Sequence, residues 1–272
     1  MRGIGFLLLG WLVGCQTAPD TAIRPKILGA VPSLTVPRTH TPPAIDGLLD
    51  EETWKGAAKI VGLLPSLGVK DADQIAKIPT TVRVLWDERY LYVSYECVDD
   101  EIYCTGTKKH DDLLYVEDVC EVFLDGIGDG RQFVELQVNP EGVNLDLMYL
   151  FTKAAEYTPE MRLTQALCET DRWKFLEWEM KGLRTAGQKI VRDNRVIGWS
   201  VELAIPAETI MKRKGSATFY PTEIRANFVR YDWPISPVSQ QRELLQQNWS
   251  PVLLGNPHNS PARMGRLKLR LN

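Results

Sequence analysis

The sequence predicts an all-β protein, an antiparallel β-sandwich of jelly-roll type with one or two short helices. Three observations carry that reading. Apolar and polar residues alternate in several short runs, which is the two-residue period of a strand. The runs are separated by turn chemistry: Asp125-Gly126, Asp129-Gly130, Asn139-Pro140-Glu141-Gly142 and Asp193-Asn194. Strands do not alternate with long helical patterns, so a parallel α/β sheet is disfavoured.

Taken in order, the chain opens on Met1-Arg2 and an apolar run from Ile4 to Val13. The run is shorter than the about 20 residues a spanning helix needs. It reads as a signal peptide over 1–14. Its end, Leu12-Val13-Gly14-Cys15, resembles a bacterial lipobox. The resemblance implies a lipid on Cys15 and, through Gln16, the outer membrane as destination. Residues 15–38 carry Pro19, Pro25, Pro32 and Pro37 without periodicity and read as a tether. A single domain is then expected over 39–272. Short helices are expected at 51–58, capped by Asp50, and at 207–212 after Pro206.

Residues 80–86 and 91–97 form the clearest hairpin pattern. Val82, Val84 and Trp86 share one face of the first strand, and Leu91, Val93, Tyr95 and Cys97 one face of the second. Further strands are expected at 119–124, 132–138, 145–150, 175–180, 198–205, 224–231 and 266–271. Hydrophobic residues make up 44% and charged residues 25% of the chain, values of an ordinary globular protein. A net charge of -3 gives no basic face for nucleic acid. No nucleophile elbow, zincin helix or phosphate-binding loop motif is present, so no catalytic residue is assigned.

Four motifs together resemble the family 9 carbohydrate-binding modules. They are Pro43-Ala44-Ile45-Asp46-Gly47 with Asp50-Glu51, Trp54 and Ala57; residues 81–93 of the hairpin; Asp118-Val119-Cys120-Glu121-Val122-Phe123-Leu124-Asp125; and Met264-Gly265-Arg266-Leu267. The resemblance implies a β-sandwich, sugar binding and, commonly, structural calcium. It implies Tyr115 as a stacking ring, Glu121 as acceptor of sugar hydroxyls and Gln137 beside it. Trp249 stands for the second aromatic, and Arg230 on a central strand could reach the same pocket. Physically, an aromatic face covers the C–H patches of a sugar while planar polar groups fix its hydroxyls. On its strand Glu121 should share a face with Val119 and Phe123, leaving Cys120, Val122 and Leu124 for the core. Trp54 reads as a core plug.

The function expected is glycan binding at the cell envelope in polysaccharide capture or catabolism, beside a glycanase or uptake partner. Two alternatives come from other classes. One is a haem electron carrier using His110, His258, Met148, Met161, Met180 or Met211; the other is a surface scaffold. Asp99, Asp100, Asp125 and Asp129 are weak candidates for calcium, because no loop has the spacing of an EF-hand. Cys97, Cys104, Cys120 and Cys168 could pair in an oxidising envelope, in an order the spacing does not choose.

Overall fold

A computed structural model describes residues 30–65, 75, 77–153, 171–252 and 257–271. The first strands are β1 (Ser33–Pro37), β2 (Ala58–Val61), β3 (Leu64–Pro65), β4 (Thr80–Trp86) and β5 (Tyr90–Val98). A meander follows: β6 (Val119–Asp125), β7 (Gln132–Val138), β8 (Asn144–Phe151) and β9 (Arg172–Phe175). The rest are β10 (Arg184–Arg192), β11 (Arg195–Pro206), β12 (Glu223–Asp232), β13 (Leu245–Asn248) and β14 (Gly265–Arg270). A short α-helix, α1 (Ala207–Met211), follows β11.

The strands form two sheets. The larger runs β1-β14-β12-β6-β7-β8-β9; β12 divides one edge between β14 and β13, and β3 lies beyond β13. The smaller runs β10-β11-β5-β4-β2. The chain therefore changes sheet after each of β1, β2 and β3 and again after β5, β9 and β11. All pairings are antiparallel except β1 with β14, which is parallel. Val82, Val84, Trp86, Leu91, Val93, Tyr95 and Cys97 do line the inter-sheet core, together with Cys120, Val122 and Leu124. Period-two alternation selected the right face in each of these strands.

Several expectations are corrected. The tether does not reach residue 38, because β1 pairs along its whole length with β14 and Val36 lies in the core. Trp86 locks this arm in place, its indole donating to the Val36 carbonyl at 3.1 Å and the Arg270 carbonyl at 3.2 Å. Five ordered residues with two prolines at or near the ends looked like spacer because an edge strand needs few amide donors. The helix expected over 51–58 is a 3-10 turn, Glu52–Gly56, preceded by Glu51 with no side-chain cap from Asp50. The strand expected at 175–180 is β9, which ends at Phe175. β10 escaped notice because it is an exposed edge strand of mixed polarity. Its partner β11 is reached through Asp193-Asn194, both at positive φ, the geometry of a two-residue hairpin turn. The lipobox, Cys15 and most of the tether lie outside the described residues.

The Ile45-Asp46-Gly47 and Trp54 motif has a structural cause. Glu202 on β11 is fully buried, and its carboxyl accepts from the amides of Asp46 at 3.1 Å and Gly47 at 2.8 Å and from the Trp54 indole at 2.8 Å. Gly47 has φ +89, and a Cβ there would meet the Gly187 carbonyl carbon at 2.8 Å. Trp54 then plugs a small cluster with Leu85, Tyr92 and Ala204. The motif thus fastens the N-terminal loop to the outer face of the smaller sheet.

Cys97 and Cys120 face each other between the sheets with sulfurs 3.6 Å apart and are free thiols, as is Cys104. Cys168 lies outside the described residues.

Burial raises Glu202 to about 7, Asp118 to about 8 and Asp232 to about 6. A carboxyl raised by folding stabilises the native state fully below its ordinary pKa and loses that contribution as pH climbs through the raised value. His258, lowered to about 3 mainly by burial, opposes this only below its ordinary value of 6.5. Thermal unfolding should therefore occur at a higher temperature near pH 5.5 than near pH 8. Glu202→Gln should destabilise by about 1–3 kcal/mol through the lost acceptor and flatten the slope between about pH 4.5 and 7. An unchanged slope would show that Glu202 does not titrate there.

Candidate functional site

Central strands of the larger sheet are buried on both faces. All seven residues of β6 are buried. One face meets the smaller sheet, and the other carries a second apolar layer built from Leu114, Val119, Phe123, Phe133, Leu145, Leu147, Tyr149, Phe151, Val229 and Met264. Glu121 lies on this outer face with Val119 and Phe123, as its place in the strand requires. It is not a solvated carboxylate, however: only 2% of it is exposed.

Cross-strand register sets its neighbours. Glu121 stands opposite Gln137 of β7 and Val229 of β12. Glu135 is two residues before Gln137, hence on the same face, and Gln137 donates to Glu135 at 2.5 Å. Glu121 Oε2 and Gln137 Oε1 are shielded from solvent and have no hydrogen-bond partner, whereas the Glu135 carboxyl has the buried Tyr149 hydroxyl beside it as a donor. Burial and then the charge of Glu135 push Glu121 well above the ordinary carboxylate range, while Lys174 pulls it back. Glu135 is also raised, by burial, against the donated bond from Gln137 and the charge of Lys174. Two carboxyls and an amide thus sit together on the buried outer face of β6 and β7.

An aromatic wall stands beside them. Tyr149 of β8 stacks on Phe133 with centroids 5.1 Å apart and on His258 at 5.4 Å, the latter within 8° of parallel. His258 Nδ1 lies 3.8 Å from Glu135 Oε2. The Arg172 guanidinium sits 5.2 Å and the Lys174 ammonium 6.0 Å from the Tyr149 ring centre, so β9 supplies the cations. Burial, then Arg172 and Lys174, keep His258 uncharged at neutral pH. Burial raises the Tyr231 hydroxyl too, with Glu121 and Glu135 adding to the effect.

The residues expected at the site divide. Glu121 and Gln137 come together. Tyr115 is half-buried in a 3-10 turn, Leu114–Val116, whose Leu114 joins the outer layer; its carbonyl accepts from the Trp233 indole at 3.2 Å. Arg230 does not reach this pocket. It is fully buried on the inter-sheet side, donating to Asp99 at 3.0 Å, Asp232 at 2.5 Å and the Val98 carbonyl at 3.0 Å. Strand alternation explains it, since Arg230 follows Val229 and must face the other way. Trp249 is also core, 8% exposed and tilted against Phe228 at 5.4 Å. A Cβ at Gly265 would approach the Trp249 ring to 2.4 Å, which is why the closing Met-Gly-x-Leu motif has its glycine.

Glu135, Tyr149 and Lys174 were not singled out from the sequence, and His258 was named only as a haem-ligand candidate, not for this face. Glu135 was detectable: in Phe133-Val134-Glu135-Leu136-Gln137-Val138 the two polar residues share one parity within an apolar strand. His258 was not, because it arrives from a distant turn, Pro257–Asn259.

The other candidates have different occupations. Asp125 accepts from the amides of Ile127, Gly128 and Gly130, shaping the β6–β7 turn, and Asp129 pairs with Arg213 at 2.6 Å. Asp99 is held by Arg230 and the Trp199 indole, and Asp100 is exposed. These four do not form one calcium site. Met180 and Met211 lie in the inter-sheet core, whereas His258 lies on the outer face and His110 in an exposed loop, so the described residues named for haem are dispersed. Met161 lies outside the described residues.

Against known proteins, the profile of the "Carbohydrate family 9 binding domain-like" family matches residues 45–224. No curated protein sequence matches. Among solved structures, a family 9 carbohydrate-binding module from Caldicellulosiruptor kristjanssonii in complex with cellotriose is 17% identical, with a TM-score of 0.54, covering 88% of this chain and 94% of that one. The module from the same organism in complex with glucose gives 17% and 0.52, covering 88% and 96%. A protein from Bacteroides uniformis, described as a candidate carbohydrate-binding protein, gives 15% and 0.61, covering 89% and 100%. At these identities the structures share the fold.

A buried carboxyl that serves a ligand rather than the fold is a burden on the empty protein. Glu121→Met, close in volume and without orphan oxygens, should raise the stability of the unliganded protein by about 1–3 kcal/mol in urea unfolding. A loss of that size would make Glu121 a structural group.

Proposed function

The chain belongs to the carbohydrate family 9 binding domain-like family, and we propose on that premise that the outer face of its larger sheet binds a neutral saccharide. The observation that carries the reading is the pair of orphan acceptors Glu121 Oε2 and Gln137 Oε1, buried on facing residues of β6 and β7. A buried acceptor without a donor costs about 1–3 kcal/mol, and a hydroxyl supplies one donor and two lone pairs. A sugar ring offers several hydroxyls in fixed directions, which suits two acceptors on facing strand positions. Lys174 and Arg172 would donate to its oxygens, and the Tyr149–His258 stack forms an apolar wall. A charged anion fits poorly beside Glu121 and Glu135.

Cellotriose and glucose, bound in the two Caldicellulosiruptor modules, make β-linked glucose the first class to test here. The lipobox-like Leu12-Val13-Gly14-Cys15 supports a lipid-anchored domain holding glycan at the outer membrane for capture or catabolism, with a glycanase or uptake system as partner.

Calorimetric titration with cellotriose should show binding by the purified protein and at least about tenfold weaker binding by Glu121→Ala and Gln137→Ala, a loss near 1–3 kcal/mol. Full affinity in both folded variants would move the site elsewhere. Tyr115→Ala separates a stacking ring from a bystander, the first losing affinity without losing stability. For the anchor, Cys15→Ser should release the protein from the membrane fraction; unchanged retention would contradict lipidation.

A further inference from the structure

A second polar cluster lies away from the Glu121 face and has a different chemistry. His110 and Asp111 come from the loop between β5 and β6, Asp146 from β8, and Glu179 from the segment between β9 and β10. Donor atoms of His110, Asp111 and Asp146 all fall within 4.8 Å of one another. His110 Nε2 is 3.0 Å from Glu179 Oε2, 3.5 Å from Asp111 Oδ2 and 4.0 Å from Asp146 Oδ1. Three carboxyls from three segments thus converge on one imidazole nitrogen.

The imidazole is oriented from behind. His110 Nδ1 lies 3.0 Å from the Asn144 carbonyl oxygen, which can only accept, so Nδ1 carries the hydrogen. In the neutral ring Nε2 then presents a lone pair to carboxylate oxygens, a contact between acceptors that needs a proton or a cation between them. Metal-bound histidines are commonly fixed in this way, through the ring nitrogen that is not a ligand.

The carboxyls repeat the mismatch. Asp111 and Glu179 are in hydrogen-bonding contact with each other. Asp111 Oδ1 is out of solvent without a partner. Asp146 is 1% exposed; one of its oxygens accepts from the Met180 amide, while Oδ1 has only the Asn144 amide at 3.5 Å, at the outer limit of a hydrogen bond. Among the described residues, none of the three carboxyls forms an ion pair with Lys or Arg. The buried trio Asp99, Asp118 and Asp232 is the contrast, since Arg230 already supplies its cation.

We propose that His110, Asp111, Asp146 and Glu179 form a binding site for a divalent first-row transition cation such as Zn²⁺. One imidazole nitrogen with carboxylate oxygens is a donor set of that class, whereas Ca²⁺ and Mg²⁺ favour oxygen alone. Binding displaces the proton shared among these groups and ties the loop before β6 and the segment after β9 to β8. The inference stands independently of the saccharide reading.

The test is titration of chelator-treated full-length protein with Zn²⁺, read by calorimetry and by the rise in unfolding temperature. The wild type should bind with a dissociation constant below about 100 µM and unfold at higher temperature with Zn²⁺ than without. His110→Gln and the exposed-residue variant Glu179→Gln should each weaken binding about tenfold or more while unfolding normally without metal. Asp146 is avoided, because it also holds the Met180 amide. Co²⁺ should give visible absorption bands that both variants lose. The proposal is overturned by no Zn²⁺ binding at about 100 µM, by equal binding in the wild type and both variants, or by Ca²⁺ binding more tightly than Zn²⁺.

Discussion

The constraint on which the rest depends is that the larger sheet has no solvent face at its centre. Its inner side meets the smaller sheet and its outer side meets an aromatic and aliphatic layer, so β6 is buried along its whole length. Every polar side chain on these strands is desolvated and needs a partner. Where the chain supplies one, the group is architectural. Where it does not, as at Glu121 and Gln137, buried acceptor atoms are left without a donor.

Three architectures of buried charge show this. Glu202 receives three N–H donors and fastens the N-terminal loop. Arg230 spans the end of the core, bonded to Asp99, Asp232 and carbonyl oxygens, with its guanidinium 5.6 Å from the Trp199 ring centre. Both sites are largely self-sufficient. The Glu121–Glu135–Gln137 group is the opposite case, with an internal bond from Gln137 to Glu135 and acceptors left over. On the proposed reading such a site trades stability for recognition, so replacing Glu121 by an apolar side chain of similar volume should stabilise the empty fold.

The sandwich and the positions of most strands were legible because alternation and turn residues agree over β4 to β8. The face of Glu121 was legible for the same reason. Its burial was not: alternation says which side a residue takes, and a second apolar layer can cover either side. Arg230 and Trp249 were misplaced through chemistry that suits sugars as well as it suits cores. An arginine on a central strand is rare inside, and only the Asp99 and Asp232 partners, distant in sequence and adjacent respectively, make it tolerable there. Trp249 is fixed by the bare Gly265, a contact no spacing rule predicts. The strand β1 was hidden because its pairing partner is the last strand of the chain.

The central claim, that orphaned acceptors on a doubly buried sheet exist for a saccharide, is tested most directly by a crystal structure of the protein grown with cellotriose. The account predicts a sugar ring against the Tyr149–His258 wall, with hydroxyls within about 3.2 Å of Glu121 Oε2 and Gln137 Oε1. A saccharide bound on another surface, with Glu121 and Gln137 still unpartnered, would contradict it.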